Sequence, residues 1–337
     1  MQQPRKPLRS ALLAAAAFTA IGLAAVPAAA QTAPKLGAGL TMYFQMGGNP
    51  GDGATLPREI GAKAAAELYG VKLVEQFSGW APEKMISQFR EAMAASPSCI
   101  EIMGHPGNAA FMPLVEKAEA AGIMVTAGNV PLPEIEAKYR QNGFGYAGTY
   151  LFQGGEETAD AMVAQGHLKP GDEALVYGLF SEGVRGQSAR GVVAGLKKAG
   201  LKVSELTIST QVDADSALAV PILVAYIERH PNLKAIATQH GLVTSFIPQA
   251  LKEAGKKPGH IIVGGIDLAP ATVSGLENGY ITVSLNQQLY LQGYLPVLQC
   301  VMSKNYYMPG LNINTAAGTV NGKLIKLLVP LITQGIE

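Results

Sequence analysis

The side chains of this chain that could do chemistry gather where its apolar runs end. Asn49 and Asp52 follow the run 36–44, His105 follows 100–103, Asn129 follows 123–127, and Gln239-His240 follow 233–238. Asp267 comes after 260–266, and Asn286-Gln287-Gln288 after 281–285. A carboxylate accepts hydrogen bonds, a carboxamide donates and accepts, and an imidazole does either according to its tautomer. Open parallel sheets bind ligands outside the carboxyl ends of their strands. Polar groups recurring at those ends therefore predict a cleft for a polar solute. Asn, Asp and Ser also cap helices, and for any one of these residues that reading stays open.

Catalysis leaves little trace. Gly143-Phe-Gly145-Tyr-Ala-Gly148 fits the dinucleotide glycine pattern, but the charged stretch 134–142 stands where the preceding strand should be. Gly255-Lys256 runs into Lys257 and Gly322-Lys323 into Leu324, so neither closes a phosphate loop. Ser181 lacks the glycines of a hydrolase elbow. His105, His167, His230, His240 and His260 are scattered, with no metal-ligand spacing. The expectation is a protein that is not an enzyme and needs no metal or organic cofactor.

The elements that must position these groups repeat one order: apolar strand, polar or glycine loop, amphipathic helix, closing glycine. Gly70, Gly122, Gly200 and Gly279 each precede a strand-like run, as suits a residue that takes the left-handed backbone at a helix end. The strand runs are short and β-rich without clean alternation, which predicts strands covered on both faces. Strict alternation of strand and helix predicts parallel sheets. Some ten strands exceed one comfortable sheet, and 131–142 is a polar break, so two α/β domains are expected, joined near Ala147. Pro221 falls inside an otherwise helical 213–229, which predicts that the regular helix begins near Pro221.

The first thirty residues differ in kind. Arg5, Lys6 and Arg9 precede an apolar run over 11–26, and Ala28 and Ala30 place small residues where a signal peptidase reads. A cleaved leader over 1–30 and a soluble, exported mature protein are the expectation; the apolar run is shorter than the ~20 residues a bilayer span needs. Removing the leader's three basic residues takes the formal charge from +1 to −2, which is no footprint for nucleic acid or anionic lipid. Cys99 and Cys300 could pair in an oxidising compartment, but separately buried thiols are the expected state.

Several stretches then carry a resemblance. Val263-Gly-Gly-Ile-Asp267 and Ser284-Leu-Asn-Gln-Gln-Leu-Tyr-Leu-Gln-Gly-Tyr294 are the most specific. Gly122-Ile-Met-Val-Thr-Ala-Gly-Asn129, Tyr146-Ala-Gly-Thr-Tyr150 and His230-Pro-Asn-Leu-Lys-Ala-Ile236 follow the same family order. Over nearly all of its mature length the chain resembles the type I periplasmic solute-binding proteins of ABC transporters, in the ribose, xylose and galactose branch. The resemblance implies two Rossmann-like lobes with parallel sheets, joined by a three-crossover hinge near Ala147, Gln287 and Gly310. The N-terminal lobe would comprise 31–147 and 287–309, the C-terminal lobe 148–286 and 310–337. It implies capture of a sugar or sugar-like polyhydroxy solute between closing lobes, and delivery by a monomer to ABC permease subunits. A chemoreceptor or sensor ectodomain, or an autoinducer-2-type signal, would suit the same chain; a periplasmic enzyme on this scaffold is the remaining rival.

Carried over by position, the sugar-holding aspartate falls on Asp267, the hinge glutamine on Gln287 and the hydroxyl-bridging arginine on Arg190. Asn49, Asp52, His105, Asn129, Tyr150 and His240 complete the expected ligand-binding set. Charge-assisted hydrogen bonds contribute about 1.5–3 kcal/mol each, so three or four support micromolar binding, about −8 kcal/mol. The chain departs from the family in carrying Asn129 where an aspartate is usual, and His105 and His240 where asparagines are usual. Ala54-Thr55 stand where paired aromatics sandwich a pyranose. Trp80 and Tyr150 are the alternative stacking faces, with a packing role for Trp80 equally open. Loss of the aromatic clamp points toward a smaller, branched or modified sugar, a polyol or a furanose.

Overall fold

The computed structural model describes residues 33–334, so the expected leader lies outside the described residues. The strands are β1 (Thr41–Gly47), β2 (Lys72–Phe77), β3 (Cys99–Met103), β4 (Met124–Gly128), β5 (Tyr146–Gly148) and β6 (Glu173–Gly178). They continue with β7 (Lys202–Thr207), β8 (Leu233–Ala237), β9 (Ile262–Ile266), β10 (Val283–Leu285), β11 (Asn312–Asn314) and β12 (Thr319–Asn321). Two six-stranded sheets result, ordered β2-β1-β3-β4-β5-β11 and β7-β6-β8-β9-β10-β12. The first is parallel throughout; in the second only β12 runs antiparallel, along β10.

The two sheets repeat one winding. In each, the chain starts at the second position, steps outward to the edge, then returns across the start. The reversals, between β1 and β3 and between β6 and β8, are the switch points where crevices open in doubly wound sheets. β3 and β4 are buried at every position, as parallel strands with helices on both faces must be. Met85, Phe89, Phe111 and Leu114 cover one face of the first sheet, while Ala62, Ala65, Val297 and Val301 cover the other.

Two expectations need correction. Residues 310–314 were assigned with the second lobe, yet β11 pairs with β5 in the first sheet, Asn312 opposite Tyr146 and Asn314 opposite Gly148. The three-residue β5 would otherwise be an open edge, and Leu-Asn-Ile-Asn has no apolar run to announce a strand. The last passage between sheets therefore falls at 315–318. Cys99 and Cys300 are not separate thiols but a disulfide, with Cα atoms 6.1 Å apart. Helix Leu289–Tyr306 returns to the first sheet and lays Cys300 over the start of β3, a meeting that separation along the chain conceals. Around Pro221, a short helix Thr210–Ala214 and a 3₁₀ turn Ser216–Leu218 precede helix Ala219–Arg229, which places the proline in the first turn.

Helix Leu56–Tyr69 touches helix Leu289–Tyr306 backbone to backbone, because the contact is made by Gly61 and Gly293. A Cβ on Gly61 would lie 2.0 Å from the Tyr290 carbonyl oxygen, and one on Gly293 2.0 Å from that of Arg58. Gly293→Ala is expected to lower stability by about 1–3 kcal/mol through forced separation of the helices. Urea unfolding would show it as a lower midpoint at constant slope; an unchanged midpoint would mean the contact has room to spare.

Candidate functional site

Polar side chains converge on a cavity between the carboxyl ends of the two sheets, which encloses about 90 Å³. Typical ligand pockets are roughly 300–1,000 Å³, so an occupant must be small or must part the walls. From the first sheet come Arg58, Trp80, His105 and Asn129; from the second come Arg185, Gln239, His240 and Asp267; Gln287 lies where the chain passes between them. Asn129 and Asp267 end β4 and β9, the same place in the two windings, and both adopt positive φ, 62° and 68°. Asn and Asp tolerate that conformation better than other side-chain-bearing residues, and it turns each side chain abruptly at the strand end.

Asp267 is buried, 6% exposed, and held by Gln287, whose Nε2 donates to its Oδ1 at 2.8 Å. Gln287 in turn ties the three passages between sheets together. Thr149 Oγ1 donates to Gln287 Oε1 at 3.2 Å, and Thr315 Oγ1 donates to the Gln287 carbonyl at 2.7 Å. Thr149 stands just past β5 and Thr315 just past β11, so one residue at the second passage bonds both others. Burial lifts the Asp267 carboxyl above its usual range, against the Gln287 bond and the charge of Arg58.

On the second wall Arg185 grips Asp213 bidentately, at 2.6 and 2.8 Å. His240 Nε2 donates to Asp213 Oδ1 at 2.8 Å, while its Nδ1 accepts from the Val243 amide at 3.3 Å. Burial alone would raise the Asp213 carboxyl, but the hydrogen bonds of His240 and Arg185 and the charge of Arg185 hold it well below the usual carboxylate range. Stability from this group is present above the unfolded carboxyl value near 3.9 and is lost as pH falls through the lower folded value.

On the first wall Arg58 is fully buried; Nη1 donates to the Met46 carbonyl at 2.8 Å and Nη2 to Gln292 Oε1 at 3.1 Å. Asn129 Nδ2 donates to the same Gln292 oxygen at 3.2 Å, and Asn129 Oδ1 faces His105 Nε2 at 3.0 Å. Trp80 stacks on His105, centroids 5.7 Å apart and planes 18° from parallel. Close by, Glu101 of β3 accepts from the Gln45 amide, and burial lifts its carboxyl to about 8 despite the charge of Arg58. Its contribution to stability is whole below the unfolded value near 4.3 and is lost as pH rises through about 8. The melting temperature is thus expected to decline from pH 5 to 9, and Glu101→Gln to flatten that decline; a Gln variant with the parent's slope would refute the assignment.

Of the residues expected from the sequence, His105, Asn129, His240, Asp267 and Gln287 line the cavity, and Asn49, Asp52, Tyr150 and Arg190 do not. Arg190 donates to the carbonyls of Phe180, Glu182 and Gly183 at 3.1, 2.7 and 2.5 Å, bracing the loop after β6. Arg185, five residues earlier in the loop before helix Gln187–Lys198, takes the place on the wall. The Asp52 carboxylate accepts from the amides of Asn49, Ala54 and Thr55 at 2.9, 3.1 and 2.7 Å, so it folds its own loop. Tyr150 is half-exposed at the start of helix Leu151–Gly166. Arg58 was missed, although the sequence carries a signal: it falls in register with Ala62 and Ala65, on an apolar helical stripe where a cation is out of place.

Residues 51–302 match the family model described as periplasmic binding protein domain. The xylose/arabinose-binding protein XylF of Sulfolobus acidocaldarius is 27% identical over 256 residues, which cover 72% of this chain and 61% of that protein. The chain thus spans about three fifths of that relative's length. An ABC transporter solute-binding protein from Burkholderia graminis, in complex with D-arabinose, superposes with a TM-score of 0.73 at 23% identity, covering 85% of this chain and 96% of that one. A galactofuranose-binding protein superposes with a TM-score of 0.75 at 19% identity, over 88% and 100%. A carbohydrate transporter from Acidothermus cellulolyticus, in complex with myo-inositol, gives 0.72 at 19%, over 88% and 99%. At these identities the structural likeness speaks for the fold.

Proposed function

The chain belongs to the periplasmic binding protein domain family, and from that membership and the chemistry of its cleft we propose that it is the solute receptor of an ABC importer. It captures a sugar or sugar-like polyol between the two sheets, closes by hinge motion, and presents the load as a monomer to permease subunits. It works in the periplasm, a reading that the expected leader and the family membership support. The observation that carries the reading is Gln287: the residue that holds the cleft's aspartate also bonds both other passages between the sheets. Ligand contact and hinge are therefore one hydrogen-bonded unit, which suits capture by closure better than catalysis in a fixed pocket.

The sugars named for similar proteins define a first panel. Thermal-shift measurements with D-xylose, D-arabinose, galactofuranosides and myo-inositol should find at least one compound that raises the melting temperature. Mass spectrometry should then recover that compound unchanged after prolonged incubation. Failure of every neutral sugar and polyol to stabilise the protein, or conversion of the bound one, would overturn the reading. Docking on a sensor ectodomain would show instead as capture of that ectodomain by the loaded protein with no transport defect when the permease contact is lost.

A further inference from the structure

We propose that Arg58, His105 and Gln239 are ligand contacts, one donor and two acceptors, which restrict the cleft to an uncharged solute bearing several hydroxyls. This rests on the capture function proposed above and goes beyond it to the class of molecule admitted. Arg58 Nε, His105 Nδ1 and Gln239 Oε1 are buried and have no hydrogen-bond partner among the described residues. All three residues line the same cavity, Arg58 and His105 on one wall and Gln239 on the other. A buried polar atom without a partner costs about 1–3 kcal/mol, so three around one cavity describe what the occupant must supply.

The hydrogen-bond network settles the role of each atom. Gln292 Nε2 donates to the Gln287 carbonyl and to Thr315 Oγ1, so its Oε1 is the acceptor for Arg58 and Asn129. Asn129 thus directs its amide nitrogen to Gln292 and turns its oxygen to His105, whose Nε2 must carry the proton. Nδ1 is then a bare lone pair. Burial and the charges of Arg185 and Arg58 push the His105 imidazole down to about 3, against the Asn129 bond and the charge of Asp213, so it stays neutral. Gln239 Nε2 donates to Thr158 Oγ1 at 3.2 Å, which leaves its oxygen as the acceptor. Arg58 Nε can only donate.

A hydroxyl donates and accepts, and so can meet all three. A carboxylate or phosphate only accepts and would leave both acceptors orphaned; an ammonium only donates and would leave Arg58 so. Fixed charges in the cleft already have counterparts, Arg185 in Asp213 and Arg58 in the field of Asp267. A charged ligand would enter without compensation.

Calorimetry on the full protein with D-arabinose, D-xylose and myo-inositol, against D-galacturonate and D-glucosamine, tests this. Neutral probes should bind at least about tenfold more tightly than charged ones. His105→Phe keeps a flat ring against Trp80 and removes the acceptor; Gln239→Leu removes the other. Each should weaken the best neutral probe by about tenfold or more while the circular dichroism spectrum stays that of the parent. Asn129→Asp sets a carboxylate on His105 Nε2, so binding should become pH-dependent and fall as pH drops from 8 to 5, whereas the parent stays flat. Galacturonate or glucosamine binding as tightly as the neutral probes would overturn the inference alone, as would undiminished binding by both deletion variants. No binding of any neutral probe to the parent would overturn the capture function and this inference with it.

Discussion

Asp267→Asn is expected to keep the fold and lose the response to ligand. The parent's carboxylate spends one oxygen on Gln287 and has acceptor capacity left for hydroxyls in the cavity. Charge-assisted hydrogen bonds contribute about 1.5–3 kcal/mol each, so loss of two corresponds to about 3–6 kcal/mol, a hundredfold or more in Kd. A ligand at a thousand times its Kd stabilises by about 4 kcal/mol, and most of that rise in melting temperature should vanish. The unliganded variant should melt no lower than the parent at pH 7. Asparagine tolerates the positive φ at this position, its oxygen still accepts from Gln287, and a costly buried charge is gone. The sign follows from the raised carboxyl: its contribution is whole below the unfolded value near 3.9 and shrinks as pH rises through the higher folded value. The advantage of the variant should therefore fade toward pH 4. A variant that still gains the parent's full stabilisation from the best neutral sugar would remove Asp267 from the site. One that melts well below the parent without ligand would make it structural.

The second large effect is expected from the Cys99–Cys300 bridge, which closes a separation of 201 residues. In the chain-entropy model a loop of that length restricts the unfolded state by about 5 kcal/mol, and removal of native disulfides typically costs 2–5 kcal/mol. Both sulfurs are fully buried, between β3 and helix Leu289–Tyr306. The Cys99→Ala, Cys300→Ala double variant therefore also loses packing in the cluster of Met42, Phe44, Val297 and Val301. For a protein of this size the expected fall in melting temperature is about 5–15 °C. Sugar binding at 20 °C should persist, because the bridge lies at the amino end of β3 and the cleft at the carboxyl ends. A double variant with the parent's melting point would show the bridge to be dispensable. Lost binding in a protein that is still folded would show that it reaches the site.

The fold was legible to the extent that it depends on local pattern. Closing glycines at 70, 122, 200 and 279 all adopt positive φ, and the alternating strands and helices they separate are the ones observed. What escaped was the assignment of short segments. β11 is three residues long, too short for its alternation to announce a strand, and it is a strand only because the edge of β5 receives it. The polar strand ends were readable one by one, but their fates were not. Asp52 folds its own loop while Asp267 enters the cleft, although both follow strands.

The amino-acid order by itself determined the repeating strand–helix units and the strand ends at which polar groups would stand, because periodicity and backbone preference act within a dozen residues. Tertiary structure alone decided that Arg185 and not Arg190 reaches the cavity, that Cys300 meets Cys99, that Arg58 hides on an apolar stripe, and which ring nitrogen of His105 is bare. Except for Arg190, held by carbonyls seven to ten residues away, each of these depends on a partner more than twenty residues distant. A hydrogen bond or disulfide is set by separation in space, which only the packing of helices on both sheets brings below a few ångströms.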